Sequence, residues 1–173
     1  MENVLEKVLL VVCITYEEND TYRIDRTREQ VSRVKRITKL TLIGIISGCV
    51  LAGFLLIIHL LTSNEAYILL FNVDYIPLLQ DVWSQPGIGI VFHFVFCIVS
   101  VVALFYVLDF WDLERKWFLY VLVYVLGSAG LFFLTALTST EPSAGDVDAW
   151  MYWTVAHLIY GIMVGVMVNR WIK

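Results

Sequence analysis

Four apolar runs, at about residues 40–61, 87–108, 117–138 and 150–168, are each close to the ~20 residues a helix needs to cross a bilayer. The twelve Lys and Arg residues all fall on one side of that pattern. Arg23, Arg26, Arg28, Arg33, Lys35, Arg36 and Lys39 precede the first run, Arg115 and Lys116 separate the second from the third, Arg170 and Lys173 follow the fourth, and Lys7 is near the start. The two other connections carry no base and six acids: Glu65, Asp74, Asp81, Glu141, Asp146 and Asp148. By the positive-inside rule this predicts an all-α, polytopic bundle of four transmembrane helices with both termini in the cytoplasm.

Composition points the same way. With 60% hydrophobic residues and a mean hydropathy of +0.77, a chain of 173 residues has more apolar surface than one small soluble core can hide. The lipid bilayer is therefore its first partner. Nucleic acid is excluded as a partner, because the bases form no concentrated face and the net charge is −4.

Residues 1–39 read as a cytoplasmic N-terminal extension and residues 40–173 as the membrane domain. Within the extension, Val8–Ile14 is too short to cross, and its acidic flanks Glu2, Glu6, Glu17 and Glu18 do not match the basic start of a signal peptide. That segment reads as interfacial or as a weakly ordered extension, and residues up to about Gln30 read equally as a mis-assigned upstream start. In the first outer connection, Tyr67–Phe71 and Tyr75–Leu79 are too apolar for a free loop, so an interfacial or partly re-entrant piece is expected over the bundle mouth. Trp83, Trp111, Trp117, Trp150, Trp153 and Trp171 lie near predicted helix ends, as an aromatic belt does.

Inner faces are predicted from small and polar residues at helical spacing, since these let membrane helices approach. Gly44, Gly48, Ala52, Leu55 and His59 form one such face; Gly89, His93, Cys97, Ser100 and Ala103 a second; Thr154, His157, Gly161 and Gly165 a third. In the third helix Tyr124, Gly127, Leu131 and Thr135 line up without an ionisable group. The pairs Gly44–Gly48 and Gly161–Gly165 are the candidate packing positions, within the bundle or in a homo-oligomer.

All three histidines sit on these faces. At ~1.5 Å per residue, His93 and His157 lie about 9 and 10 Å below the outer helix ends and His59 about 3–5 Å below its own. Each alone is equally well read as an interhelical hydrogen-bonding residue. Three at related depth favour an outward-facing polar, proton-responsive site of His59, His93, His157 and Cys97, because ionisable groups inside membranes are usually functional. The alternative is a haem or metal site, for which His93 and Cys97 at i,i+4 are a possible bidentate pair although zinc-motif spacing is absent; no cofactor is predicted. Three cysteines, two of them inside helices, exclude a disulfide framework, and Cys49 reads as a packing residue. No nucleophile–base constellation, phosphate loop or paired carboxylates occur in the runs, so no enzymatic chemistry is expected.

The segments Leu42-Ile43-Gly44-Ile45-Ile46-Ser47-Gly48, Gly89-x3-His93 and Ala156-His157-Leu158-Ile159-Tyr160-Gly161, closed by Asn169-Arg170, resemble the YagU-like family of small bacterial inner-membrane proteins and, more loosely, the YqhR-like ones. The resemblance covers about residues 40–173 and has no counterpart for His59. It implies a multi-pass protein of the bacterial plasma membrane, with His93 and His157 as the positions to test. The expected role is a membrane-stress or pH-related accessory one; the remaining alternative is a structural or regulatory subunit of a larger membrane complex.

Overall fold

The structure, a computed structural model, describes residues 2–71, 87–137 and 141–172, with side chains placed at Arg23 and from Arg26 onward. Among the described residues there are four long helices and no strand: α1 (Glu2–Thr62), α2 (Ile88–Asp109), α3 (Trp117–Leu131) and α4 (Val147–Trp171). α1, α2 and α4 each contain a stretch long and apolar enough to cross a membrane, and α3 does so together with the 3₁₀ segment that continues it to Leu137. The protein is an all-α, multi-pass membrane protein.

The chain divides into two compact units, Met1–Thr38 and Lys39–Lys173. The first unit is helical, and Val8–Ile14 falls inside α1. Its described bases are largely exposed, with Arg33 paired to Glu29 one turn earlier at 2.8 Å. Such a pair on an exposed helix adds only about 0.3–0.5 kcal/mol.

In the second unit the helix ends have visible causes. Ser63, at φ +56°, ends α1, and Asn64 opens a 3₁₀ turn over Glu65–Leu70 by accepting from the Ala66 N–H at 3.0 Å. That turn is where an interfacial piece was expected; Tyr75–Leu79 and Trp83 lie outside the described residues. Gly87, at φ +91°, caps the start of α2 in a conformation that disfavours a side chain. Asp146 caps α4 by accepting from the Ala149 N–H at 2.9 Å, and its charge suits the positive end of the helix dipole. The fourth helix therefore begins three residues before its apolar run. At Phe132 the third changes from α to 3₁₀, which continues to Leu137.

Lys39, immediately before the buried part of α1 that starts at Leu40, donates its Nζ to the Trp171 carbonyl at the end of α4 at 2.7 Å. A cation is favoured at a helix C-terminus. The bond places the start of the first span and the end of the fourth at one end of the bundle. The buried stripes are Leu40, Ile43, Ser47, Leu51 and Leu55 on α1, His93, Cys97, Val101, Phe105 and Leu108 on α2, Tyr120 and Ser128 on α3, and Ala149, Ala156, Tyr160, Val164 and Val168 on α4. The rest of each apolar run faces outward, as lipid-covered helices do.

Glycines set the closest approaches. A Cβ on Gly44 would lie 2.8 Å from the Ile98 Cα, and one on Gly48 3.1 Å from the Cys97 Sγ. On the other side of the bundle, a Cβ on Gly161 would lie 2.9 Å from the Val121 Cα and one on Gly165 2.5 Å from the Trp117 carbonyl oxygen. These four positions thus join α1 to α2 and α4 to α3. Of the expected inner face of α3, Thr135 is buried and Tyr124 half-buried, whereas Gly127 and Leu131 are exposed beside the buried Ser128 and Phe132. Cys49 is exposed too, so it is not a packing residue.

Candidate functional site: an intramembrane cavity

A cavity of about 370 Å³ lies among α2, α3 and α4 and reaches Leu51 of α1 and the 3₁₀ turn at Leu69 and Leu70. Its polar groups come from three helices: His93, Cys97 and Ser100 of α2, Tyr124, Ser128 and Thr135 of the α3 segment, and His157 and Tyr160 of α4. None of the lining residues is Asp, Glu, Lys or Arg. The cavity is largely apolar, with a few polar groups and no fixed charge.

His93 owes its placement to Gly48. Because that position has no side chain, its carbonyl lies within reach of α2, and the His93 Nε2–H donates to it at 3.2 Å. A carbonyl can only accept, so the proton of the neutral ring sits on Nε2. Cys97, one turn further along α2, holds its Sγ 3.8–3.9 Å from the two ring nitrogens. The packing glycine and the site histidine are two sides of one contact.

His157 is fixed from its own helix. Its Nδ1–H donates to the Trp153 carbonyl at 2.8 Å, and the Trp153 ring lies 4.4 Å from the imidazole, centroid to centroid. The same argument puts the proton on Nδ1 and leaves Nε2 an acceptor, which has no hydrogen-bond partner among the described residues. Trp153 is held in turn, since its Nε1–H donates to the Ser128 carbonyl at 3.0 Å, and Trp150 does likewise to Ala129 at 3.2 Å. Both acceptors lie in the last turn of α3 before its ladder tightens to 3₁₀. Trp150 and Trp153, near the start of α4, thus tie α4 to α3.

Tyr160 closes the floor. Its hydroxyl donates to the Cys97 carbonyl at 3.1 Å, the same oxygen that accepts from Ser100 Oγ at 3.0 Å, and so bridges α4 to α2. The Tyr124 ring meets that of Tyr160 edge-on at 4.7 Å, and the buried Tyr124 hydroxyl has no hydrogen-bond partner of ordinary geometry.

His93, Cys97 and His157 therefore share one cavity, whereas His59 does not reach it. His59 sits at the end of α1, donates from Nδ1 to the Asn64 carbonyl at 3.0 Å, and lies 3.9 Å from Glu65. It closes the connection rather than the site. Among the described residues no group of three His, Cys, Asp or Glu is arranged to hold a metal ion.

No protein-family model, curated protein or solved structure matches this chain. The site is interpreted on its own geometry. Tyr160 and Trp153, which sequence reasoning did not assign to it, flank His157 at i+3 and i−4, the spacings that share one helix face. That periodicity was their only signal.

Proposed function

We propose that the protein is a non-enzymatic accessory protein of the bacterial plasma membrane, with both termini cytoplasmic, whose working part is an outward-facing intramembrane site formed by His93, His157 and Cys97. The observation that carries the reading is that two imidazoles from different helices line one cavity whose lining holds no Asp, Glu, Lys or Arg. The distribution of charge supports the orientation. Lys39, Arg115, Lys116 and Arg170 lie toward one end of the spans, and Glu65, Glu141, Asp146 and Asp148 toward the other. The YagU-like pattern of Gly89-x3-His93 and of Ala156 to Gly161 is consistent with this assignment.

The role is pH- or membrane-stress-related. Among the kinds of side chain that line the cavity, imidazole is the one whose ordinary titration range is nearest neutral pH. Charging either ring would keep its bond to Gly48 or Trp153 but place a second N–H and a positive charge in a largely apolar cavity, and so disturb the packing of the helices around it. Tryptophan emission of the purified protein between neutral and mildly acidic pH is the test, because Trp153 lies against His157. The wild type should respond and a paired His93→Gln, His157→Gln variant should not. Equal responses would reduce both histidines to interhelical hydrogen-bonding residues.

A further inference from the structure

We propose that the cavity takes a lipid alcohol, a hydrocarbon chain ending in an uncharged hydroxyl, which enters sideways from the bilayer between α2 and α3. This rests on the reading of His93 and His157 as the site and adds the class of its ligand.

The head group follows from what the cavity leaves unsatisfied. His157 commits its proton to the Trp153 carbonyl, so its Nε2 offers a lone pair and requires a donor. A ketone, ester or ether oxygen cannot supply one. A hydroxyl can, and the buried Tyr124 O–H, which makes no hydrogen bond of ordinary geometry, also lines the cavity. An ionised head is disfavoured, because no lining residue carries the opposite charge and an unpaired charge away from water is costly.

The chain and the route follow from the walls. Val123, Gly127 and Leu131 recur every fourth residue on α3, and Phe92 and Phe96 do so on α2; all five line the cavity. Phe96, Val123 and Leu131 are also 54%, 44% and 51% exposed on the outside of the bundle. Residues that face both the cavity and the surroundings mark an opening, and in a membrane-spanning bundle those surroundings are lipid. α3 packs along α4 rather than α2, which leaves this gap between α2 and α3. The cavity volume of about 370 Å³ is near the lower end of the ~300–1,000 Å³ typical of small-ligand sites. It holds a head group and the first part of a chain, while the remainder lies along Phe96 and Leu131 in the bilayer.

A photoreactive geranylgeraniol analogue bearing a diazirine near its hydroxyl, added to the full chain in lipid nanodiscs, tests this. Labelling should concentrate on the α2, α3 and α4 segments that line the cavity. Free geranylgeraniol should displace the label at about tenfold lower concentration than its methyl ether, which leaves the imidazole acceptor unpaired. That comparison uses the wild type and depends on no variant folding. Gly127→Phe adds a ring where a Cβ meets nothing within 4 Å, and should cut labelling at least about fivefold without lowering the melting temperature. His157→Phe should make alcohol and ether compete equally. Labelling spread over the outer faces and unchanged by Gly127→Phe, or an ether that competes as well as the alcohol in the wild type, would overturn the proposal. The acid response of tryptophan emission is a separate measurement, so failure of the ligand class and failure of the site reading can be told apart.

Discussion

Ser47 shows how a single residue can be out of balance with its surroundings. It is fully buried on α1 between Gly44 and Gly48, and its Oγ has no hydrogen-bond partner. An unsatisfied buried hydroxyl costs roughly 1–3 kcal/mol, so Ser47→Ala should raise the melting temperature in detergent rather than lower it. A clear fall would mean that the hydroxyl has a partner in the membrane-embedded protein. Tyr160 is the opposite case, with its hydroxyl bonded to the Cys97 carbonyl. Because Ser100 also donates to that oxygen, Tyr160→Phe leaves the carbonyl satisfied, and the loss should stay near the ~0.6 kcal/mol common for interhelical bonds in membranes. Thermal unfolding of the two variants beside the wild type measures both.

At the scale of helices, the bundle is organised as two close glycine contacts and one open side. Gly44 and Gly48 bring α1 against α2, and Gly161 and Gly165 bring α4 against α3. A side chain at any of these would meet backbone atoms or the Cys97 side chain, neither of which moves cheaply. Gly48→Leu and Gly161→Leu should each cost about 1–3 kcal/mol. Gly130 is the control, since a Cβ there meets nothing within 4 Å, and Gly130→Ala should melt with or above the wild type. If Gly48→Leu and Gly161→Leu are as stable as Gly130→Ala, helix approach does not depend on these glycines. Gly48 also carries the carbonyl that orients His93, so Gly48→Leu should weaken the acid response in parallel with stability.

The whole molecule has an internal check on its topology. Lys39 bonded to Trp171 puts the beginning of α1's span and the end of α4 at the same end, as an even number of crossings requires. Which end is cytoplasmic is tested by exposed connections. In a background with Cys13, Cys49 and Cys97 replaced, a cysteine at Ser143 should react with an impermeant thiol reagent added to intact cells, and one at Asp112 should react only after the membrane is opened. Ser143 and Asp112 are both exposed, so lack of access by burial does not complicate the result. The reverse pattern would invert the protein in the membrane.

The four apolar helices were legible in the chain itself, because run length is a one-dimensional quantity, but α1 begins at Glu2, well before its apolar run, and the third run ends as a 3₁₀ helix after Leu131. The packing glycines were legible for a related reason: small residues at steps of four on an apolar helix have few roles other than close approach. The site was only partly legible. Periodicity put His59, His93 and His157 on similar stripes at related depth, yet only the tertiary structure separates them. His59 turns back to Asn64 at the end of α1, while His93 and His157 meet across a cavity set by how α2 stands off from α3. On α3 the expected residues Tyr124, Gly127, Leu131 and Thr135 do line the cavity, while the tightest burial is one position on, at Ser128 and Phe132, where α4 inserts Trp150 and Trp153. A helix repeats every 3.6 residues, so neighbouring stripes are separated by little, and the partner helix chooses between them. The proton position on His157 follows from a carbonyl of its own helix, whereas that on His93 depends on the Gly48 carbonyl across the bundle and so on helix spacing.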